Sequence, residues 1–216
     1  MKLKYYLLSI ALVLFISVCP ANANNIYFNE IDFEKGTPSE TMLLLKKFKP
    51  LQQTTDYTCG PVCANMVVGY YEGQPRHSEL ETAELMGINA YTGAMPRKIE
   101  KYFNKLGYQV QPVNKKYALK SYEDFAGMVT ENIAKGTPII VESADWGNHW
   151  RVIIGIDKLD TDNPNDDVLI LADPMDVADG KQDGYTVENA RRFFFSWFSV
   201  GTPLRVRQGL LVSRVE

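Results

Sequence analysis

The sequence is short of the residues on which most catalytic chemistry rests: three cysteines and two histidines in 216 positions. His77 and His149 lie 72 positions apart, whereas the paired histidines of a zinc finger lie about three to five apart, so the spacing argues against that metal site. There is no glycine-rich phosphate loop, internal repeat, heptad array or low-complexity tract, which sets aside phosphate-cradling loops, solenoids and coiled coils. Positive charge is also scarce. Lys and Arg number 23 against 26 Asp and Glu, a net charge of -3, which argues against a phosphate-backbone partner. No nucleic acid is expected, and the short basic patches Lys46–Lys49, Lys115–Lys116 and Arg191–Arg192 read as solvated faces. After the first 18 residues no apolar run is long enough for a bilayer, so no membrane span is expected in the mature form.

What is present begins with the N-terminus, "MKLKYYLLSIALVLFISVCPANANN". Lys2 and Lys4, an apolar run from Tyr5 to Val18 and a small-residue ending at Ala21 and Ala23 have the layout of a cleavable signal peptide over residues 1–23. A periplasmic or secreted protein is expected. Cys19 is expected to leave with the signal, because Val18 is too large for the position before a lipid-bearing cysteine. Without Lys2 and Lys4 the mature chain carries a net charge near -5. Its roughly 190 residues match the usual size of one domain with a substantial core.

Residues 57–71, "YTCGPVCANMVVGYY", hold the other two cysteines. On one helix Cys59 and Cys63 would have roughly parallel Cα–Cβ bonds, so a disulfide between them would be strained. Pro61 suits a first helical turn, the preceding "TTDYT" is turn-like, and an apolar body follows. Cys59 is therefore expected at a helix N-terminus, where backbone N–H groups and the helix dipole favour a thiolate. Gly60 is expected to let a substrate approach, and Cys63 to fill the core. A plain core role for Cys59 is the competing reading.

A thiolate nucleophile needs a base. His77 precedes Ser78 and Glu81, a capping-box pair, and reads as a surface residue. His149 has a different setting: three apolar runs, Ile139–Glu142, Trp150–Ile156 and Val168–Ala172, read as strands. The Asp-rich stretch 157–167 lacks the glycine and closing glutamate of a calcium loop and reads as a hairpin connection. If that hairpin centres near residue 161 or 162, position 149 pairs with 173 or 175. Asp173 would then hold the imidazole of His149, provided the register does not slip by one. Asp157 and Asp145 are the reserve carboxylates. Acyl transfer also needs oxyanion donors: the Cys59 N–H is one, and Gln52 or Gln53 would supply a side-chain amide.

Gln53, Cys59 in a "CGP" context, His149 opening a strand and Asp173 in "ADP" resemble the bacteriocin-leader (double-glycine) peptidases, a family of papain-like cysteine peptidases. "ELMGINAYTGAMPRKIEKYFNKLGYQV" is similar to that family's helix, Gly-rich turn and second helix. "GTPIIV" is similar to its strand before the histidine loop, and "YTVENARRFFFSWF" to its helix after the aspartate. The likeness runs from about Leu51 to Val212. It implies an α+β, papain-like domain over residues 51–216, with the Cys59 helix packed on an antiparallel sheet. It implies Cys59 as nucleophile, His149 as base and acid, Asp173 as orienter, Gln53 as oxyanion donor, and no cofactor.

Thr58 stands where many members carry an aspartate, and the likeness is to the stand-alone, exported branch. The expected partners are a peptide or protein substrate and a secretion system or exported peptide. Residues 24–50 have no placed counterpart; core packing, a prosegment or a partner-binding arm are the options. Three rivals to the hydrolase remain at this level: an acyltransferase of the phytochelatin-synthase kind, an inactive peptide-binding domain and a metal-binding domain. Tyr57, Trp146 and Trp150 flank the cysteine and histidine, as cleft lining or as core.

Overall fold

A computed structural model of the chain describes residues 39–177, 181–201 and 205–215. The signal-peptide reading of residues 1–23 and the first part of the 24–50 extension lie outside them. In chain order the elements are β1 (Leu43–Leu44), α1 (Cys59–Glu72), α2 (Glu79–Met86), α3 (Pro96–Leu106), β2 (Tyr108–Pro112) and α4 (Val113–Lys116). Then come α5 (Tyr122–Ala134), β3 (Ile139–Ser143), β4 (His149–Asp157), β5 (Val168–Ala172), β6 (Tyr185–Asn189) and α6 (Ala190–Ser196). The chain closes with β7 (Phe198–Ser199), β8 (Arg205–Val206) and β9 (Gly209–Arg214). The segment "YTVENARRFFFSWF", expected as helix after the aspartate, starts instead as strand β6: its Thr-Val pair suits a pleated edge better than a helix start.

The main sheet is antiparallel with order β2-β9-β3-β4-β5-β6, and β1 pairs with β4. Strand β3 ends where Ile139 pairs with Ile153. The residue before it is Pro138, which has no N–H to extend the ladder. There β1 takes over: Leu43 and Leu44 pair with Ile156 and Gly155, and Leu45 N donates to Ile154 O at 2.8 Å. Gly155 admits this approach because a Cβ there would lie 2.7 Å from the Leu43 carbonyl. Residues 43–45 are thus built into the sheet.

Neighbouring residues of β4 point to different layers. Trp150, 1% exposed, donates its indole N–H to Ala94 O at 2.8 Å, on the side of α1 and α3. Arg151 lies over the Phe193 ring of α6, 5.8 Å from its centre. Around Phe125, the rings of Phe193, Phe194 and Trp197 form a buried cluster. Each buried ring of that size contributes about 1.5–3 kcal/mol from the area removed from water. The two layers hold the sheet rigid behind its His149 end. Among the described residues no helix is long and apolar enough to cross a membrane.

Candidate active site

Helix α1 starts at Cys59, with Pro61 in its first turn and buried residues from Cys59 to Val68. The first N–H groups of a helix have no partner within it, so the sulfur sits at a ring of orphan donors. Gly60 has a different reason from the expected one: a Cβ there would lie 2.3 Å from the Ala94 Cβ and 3.5 Å from the Trp150 ring. Its missing side chain makes room for the 94 turn, and so for the indole beside the site, not for a substrate. Cys63 is fully buried, with Sγ 3.2 Å from the Trp150 carbonyl. Burial, followed by the negative charges of Cys59 and Asp173, pushes its thiol well above the ordinary range. Both cysteines are free thiols.

His149 opens β4 and is 3% exposed. Its Nε2 lies 2.7 Å from Asp173 Oδ1, and Asp173 is itself 6% exposed. The Met175 N–H donates to the same carboxylate oxygen at 2.8 Å. Cys59 acts on the same imidazole alongside Asp173, and with Nε2 taken by Asp173, Nδ1 is the ring nitrogen left for it. Burial alone lowers the imidazole's affinity for a proton, but the bonds to Asp173 and Cys59 and their negative charges outweigh it, so that its pKa is pushed up to about 9.

The pairing of His149 with Asp173 depends on an irregularity in β4. Near the turn the register is Asp157 with Val168, Ile156 with Leu169 and Gly155 with Ile170. Continued unbroken, it would set Asp173 opposite Val152, on the face away from His149. A bulge between Ile153 and Gly155 shifts the pairing by one, to Ile153 with Leu171 and Val152 with Ala172. Continuing that register, Asp173 stands opposite Arg151, a diagonal neighbour of His149 on the same face.

The reserve carboxylates stand elsewhere. Asp145 accepts from Ser143 at 2.7 Å and pairs with Arg151 at 3.0 Å; Asp157 lies at the opposite end of β4. His77 is half-buried in the turn before α2, and the capping box of Ser78 and Glu81 forms as the spacing predicts. Of the flanking aromatics, Trp150 is core, whereas Trp146 is 71% exposed, with a positive φ of 51° just before the histidine.

Gln53 stands six residues before Cys59. Its backbone N–H donates to the Pro174 carbonyl at 2.8 Å, which ties it to the strand end carrying Asp173. Its side-chain Nε2 donates to Thr55 O at 2.7 Å, and its buried Oε1 has no partner among the described residues. Gln52 turns elsewhere and donates to the Asp173 carbonyl at 3.0 Å. A groove of about 350 Å³ opens here between residues 52–56 and 174–177, with Gln182 at its margin.

Residues 45–202 match the model of the Peptidase_C39 like family. The chain belongs to that family. It is a family of cysteine peptidases, and the match to the bacteriocin-leader peptidases read from the residues is therefore one of membership. Two solved structures are similar in fold. The peptidase domain of Streptococcus ComA, a bifunctional ABC transporter involved in a quorum-sensing pathway, superposes with TM-score 0.51 at 19% identity, covering 78% of this chain and 99% of that one. A double-glycine-motif protease from an AMS/PCAT transporter, in complex with the leader peptide, gives 0.50 at 15% identity, covering 78% and 93%. No curated protein matches. The helix-and-antiparallel-sheet architecture of this C39-like domain is thus papain-like.

Within the family fold, two groups near the site carry no sequence signal. Arg151 ties β4 to Asp145 and to Glu188, the latter at 2.9 Å. Glu79, at the start of α2, reaches the segment before Cys59: Thr54 N donates to its two oxygens at 2.9 and 3.1 Å, and the Thr58 hydroxyl donates to Oε1. These contacts join residues with no shared periodicity, and no motif marks them.

Proposed function

We propose that this chain is an exported cysteine peptidase that cleaves a peptide or leader substrate. The observation that carries the reading is the buried His149–Asp173 pair, 2.7 Å apart, with the Cys59 thiol at a helix start acting on the same imidazole. A raised imidazole pKa beside a thiol at a helix N-terminus favours the thiolate–imidazolium pair over two neutral groups. Cys59 sulfur attacks the peptide carbonyl carbon, and the carbonyl π pair moves onto oxygen. The Cys59 N–H and Gln53 amide stabilise that oxyanion; Nε2 of Gln53 has two hydrogens, and its bond to Thr55 leaves the second available.

As the oxyanion collapses, the C–N bond breaks and the imidazolium gives its proton to the departing amine. His149 then takes a proton from water, which attacks the thioester, releases the acid and restores the thiol. Asp173 holds the ring so that Nδ1 faces sulfur throughout. Export rests on the signal-type N-terminus, and the peptide class on the family and on the leader peptide bound to one similar structure.

The test is the pH dependence of iodoacetamide labelling, mapped by mass so that Cys59 and Cys63 are scored separately. Cys59 is expected to be labelled much faster than Cys63 from neutral pH upward, and His149→Ala to remove that advantage. An ordinary thiol at Cys59 would sink the reading.

A further inference from the structure

The segment between Gln53 and Cys59, "TTDYT", joins the two groups assigned to the oxyanion, so its shape sets their separation. Its own bonds are local: Thr55 Oγ1 lies 2.7 Å from Thr58 Oγ1, and Gln53 Nε2 donates to Thr55 O at 2.7 Å. Thr58 is fully buried at the N-cap of α1, yet its side chain caps nothing in that helix. It donates instead to Glu79, the first residue of α2. The same carboxylate takes the Thr54 N–H on both oxygens. One acidic side chain from another helix therefore grips the turn just after Gln53 and again just before Cys59.

We propose that Glu79 is a positioning residue for the oxyanion site: by clamping Thr54 and Thr58 it fixes the turn that sets the Gln53 amide against the Cys59 N–H. The proposal rests on the oxyanion role given to Gln53 above. Without the carboxylate, the buried Thr58 hydroxyl and the Thr54 N–H lose a charged acceptor, and the turn loses its only anchor on α2 among the described hydrogen bonds. The clamp touches neither the His149–Asp173 pair nor the sulfur, so it should act on oxyanion formation and spare simple thiolate chemistry.

Two probes separate those quantities in the full chain. Iodoacetamide alkylates sulfur by displacing iodide and builds no oxyanion. N-acetylglycinal adds to sulfur at its aldehyde carbon, placing the former carbonyl oxygen at the oxyanion site, where it takes a proton. Gln53→Ala is expected to weaken the aldehyde adduct about 100-fold, in line with the loss of an oxyanion donor, with alkylation changed less than threefold. Glu79→Ala should weaken it at least tenfold with the same alkylation rate. Glu79→Gln, which keeps an acceptor, should recover most of the loss. The double variant should be no worse than Gln53→Ala alone.

Additive losses, or an aldehyde adduct in Glu79→Ala as tight as in wild type while Gln53→Ala is impaired, overturn the role of Glu79. An unimpaired Gln53→Ala, or a wild type that alkylates but forms no adduct, overturns the oxyanion assignment and the clamp with it. Should Glu79→Ala not fold, Thr58→Val removes the same hydroxyl bond and is read against the same outcomes.

Discussion

The two ends of β4 each bury a carboxylate, and the surroundings give the two acids different work. At the first end Asp173 meets a histidine ring, with a thiol beyond it. At the far end Asp157, fully buried, accepts from the Ser39 hydroxyl, from Thr41 Oγ1 at 3.1 Å and from Leu159 N at 2.9 Å. Neutral donors make Asp157 a fastener for the N-terminal segment. A titratable partner makes Asp173 a regulator of proton affinity. Burial alone therefore does not identify a functional acid; the chemistry of its partner does.

Exchanging the two carboxylates for neutral groups should break this comparison most sharply. Asp173→Asn is expected to lower Cys59-dependent peptide cleavage by about 10³–10⁴, because the amide favours the wrong ring tautomer, with little change in melting temperature above about pH 9, where the ring is neutral in either protein. Asp157→Ala is expected to do the reverse: about 2 kcal/mol of stability lost through unpaired buried donors, and full activity per folded molecule. Cleavage rates beside thermal unfolding decide it, and an Asp157 variant that folds well but is inactive would dissolve the distinction.

The pH response sharpens the same contrast. Because the leaving amine needs imidazolium, kcat/KM should fall as pH rises through about 9, roughly tenfold per unit. The folded pKa of His149 lies above its unfolded value of about 6.5. Its contribution to stability is therefore complete below about 6.5 and lost as pH rises through about 9. Unfolding free energies measured across that window should decline in wild type and stay flat in Asp173→Asn. The smallest effect belongs to Cys63→Ala: about 1 kcal/mol of stability for one buried sulfur, with labelling and cleavage at Cys59 unchanged. A large loss of activity there would give Cys63 a role beyond packing.

Local rules were legible along the chain. The helix start at Cys59, the capping box at Ser78, the three strands and the turn between β4 and β5 each follow from residues close in sequence, where propensity and turn chemistry act. Gly60 was legible as necessary but not for its true reason, since the Ala94 side chain that fills its open side comes from 34 positions away. Glu79 was silent for the same cause: reach across two helices leaves no periodic trace.

By itself, then, the sequence determined which residues stand at the ends of elements: the thiol at a helix start, the imidazole at a strand start, the carboxylate at a strand end. Only the tertiary structure decided that the last two share a face. Period-two alternation makes that outcome turn on a single residue, and the turn-side register taken alone points Asp173 away. The bulge next to Ile154 reverses it, and residues 43–45 pair with β4 at that place, where Pro138 leaves β3 unable to continue. Its position depends on strands brought together from three parts of the chain, so no local window contains it.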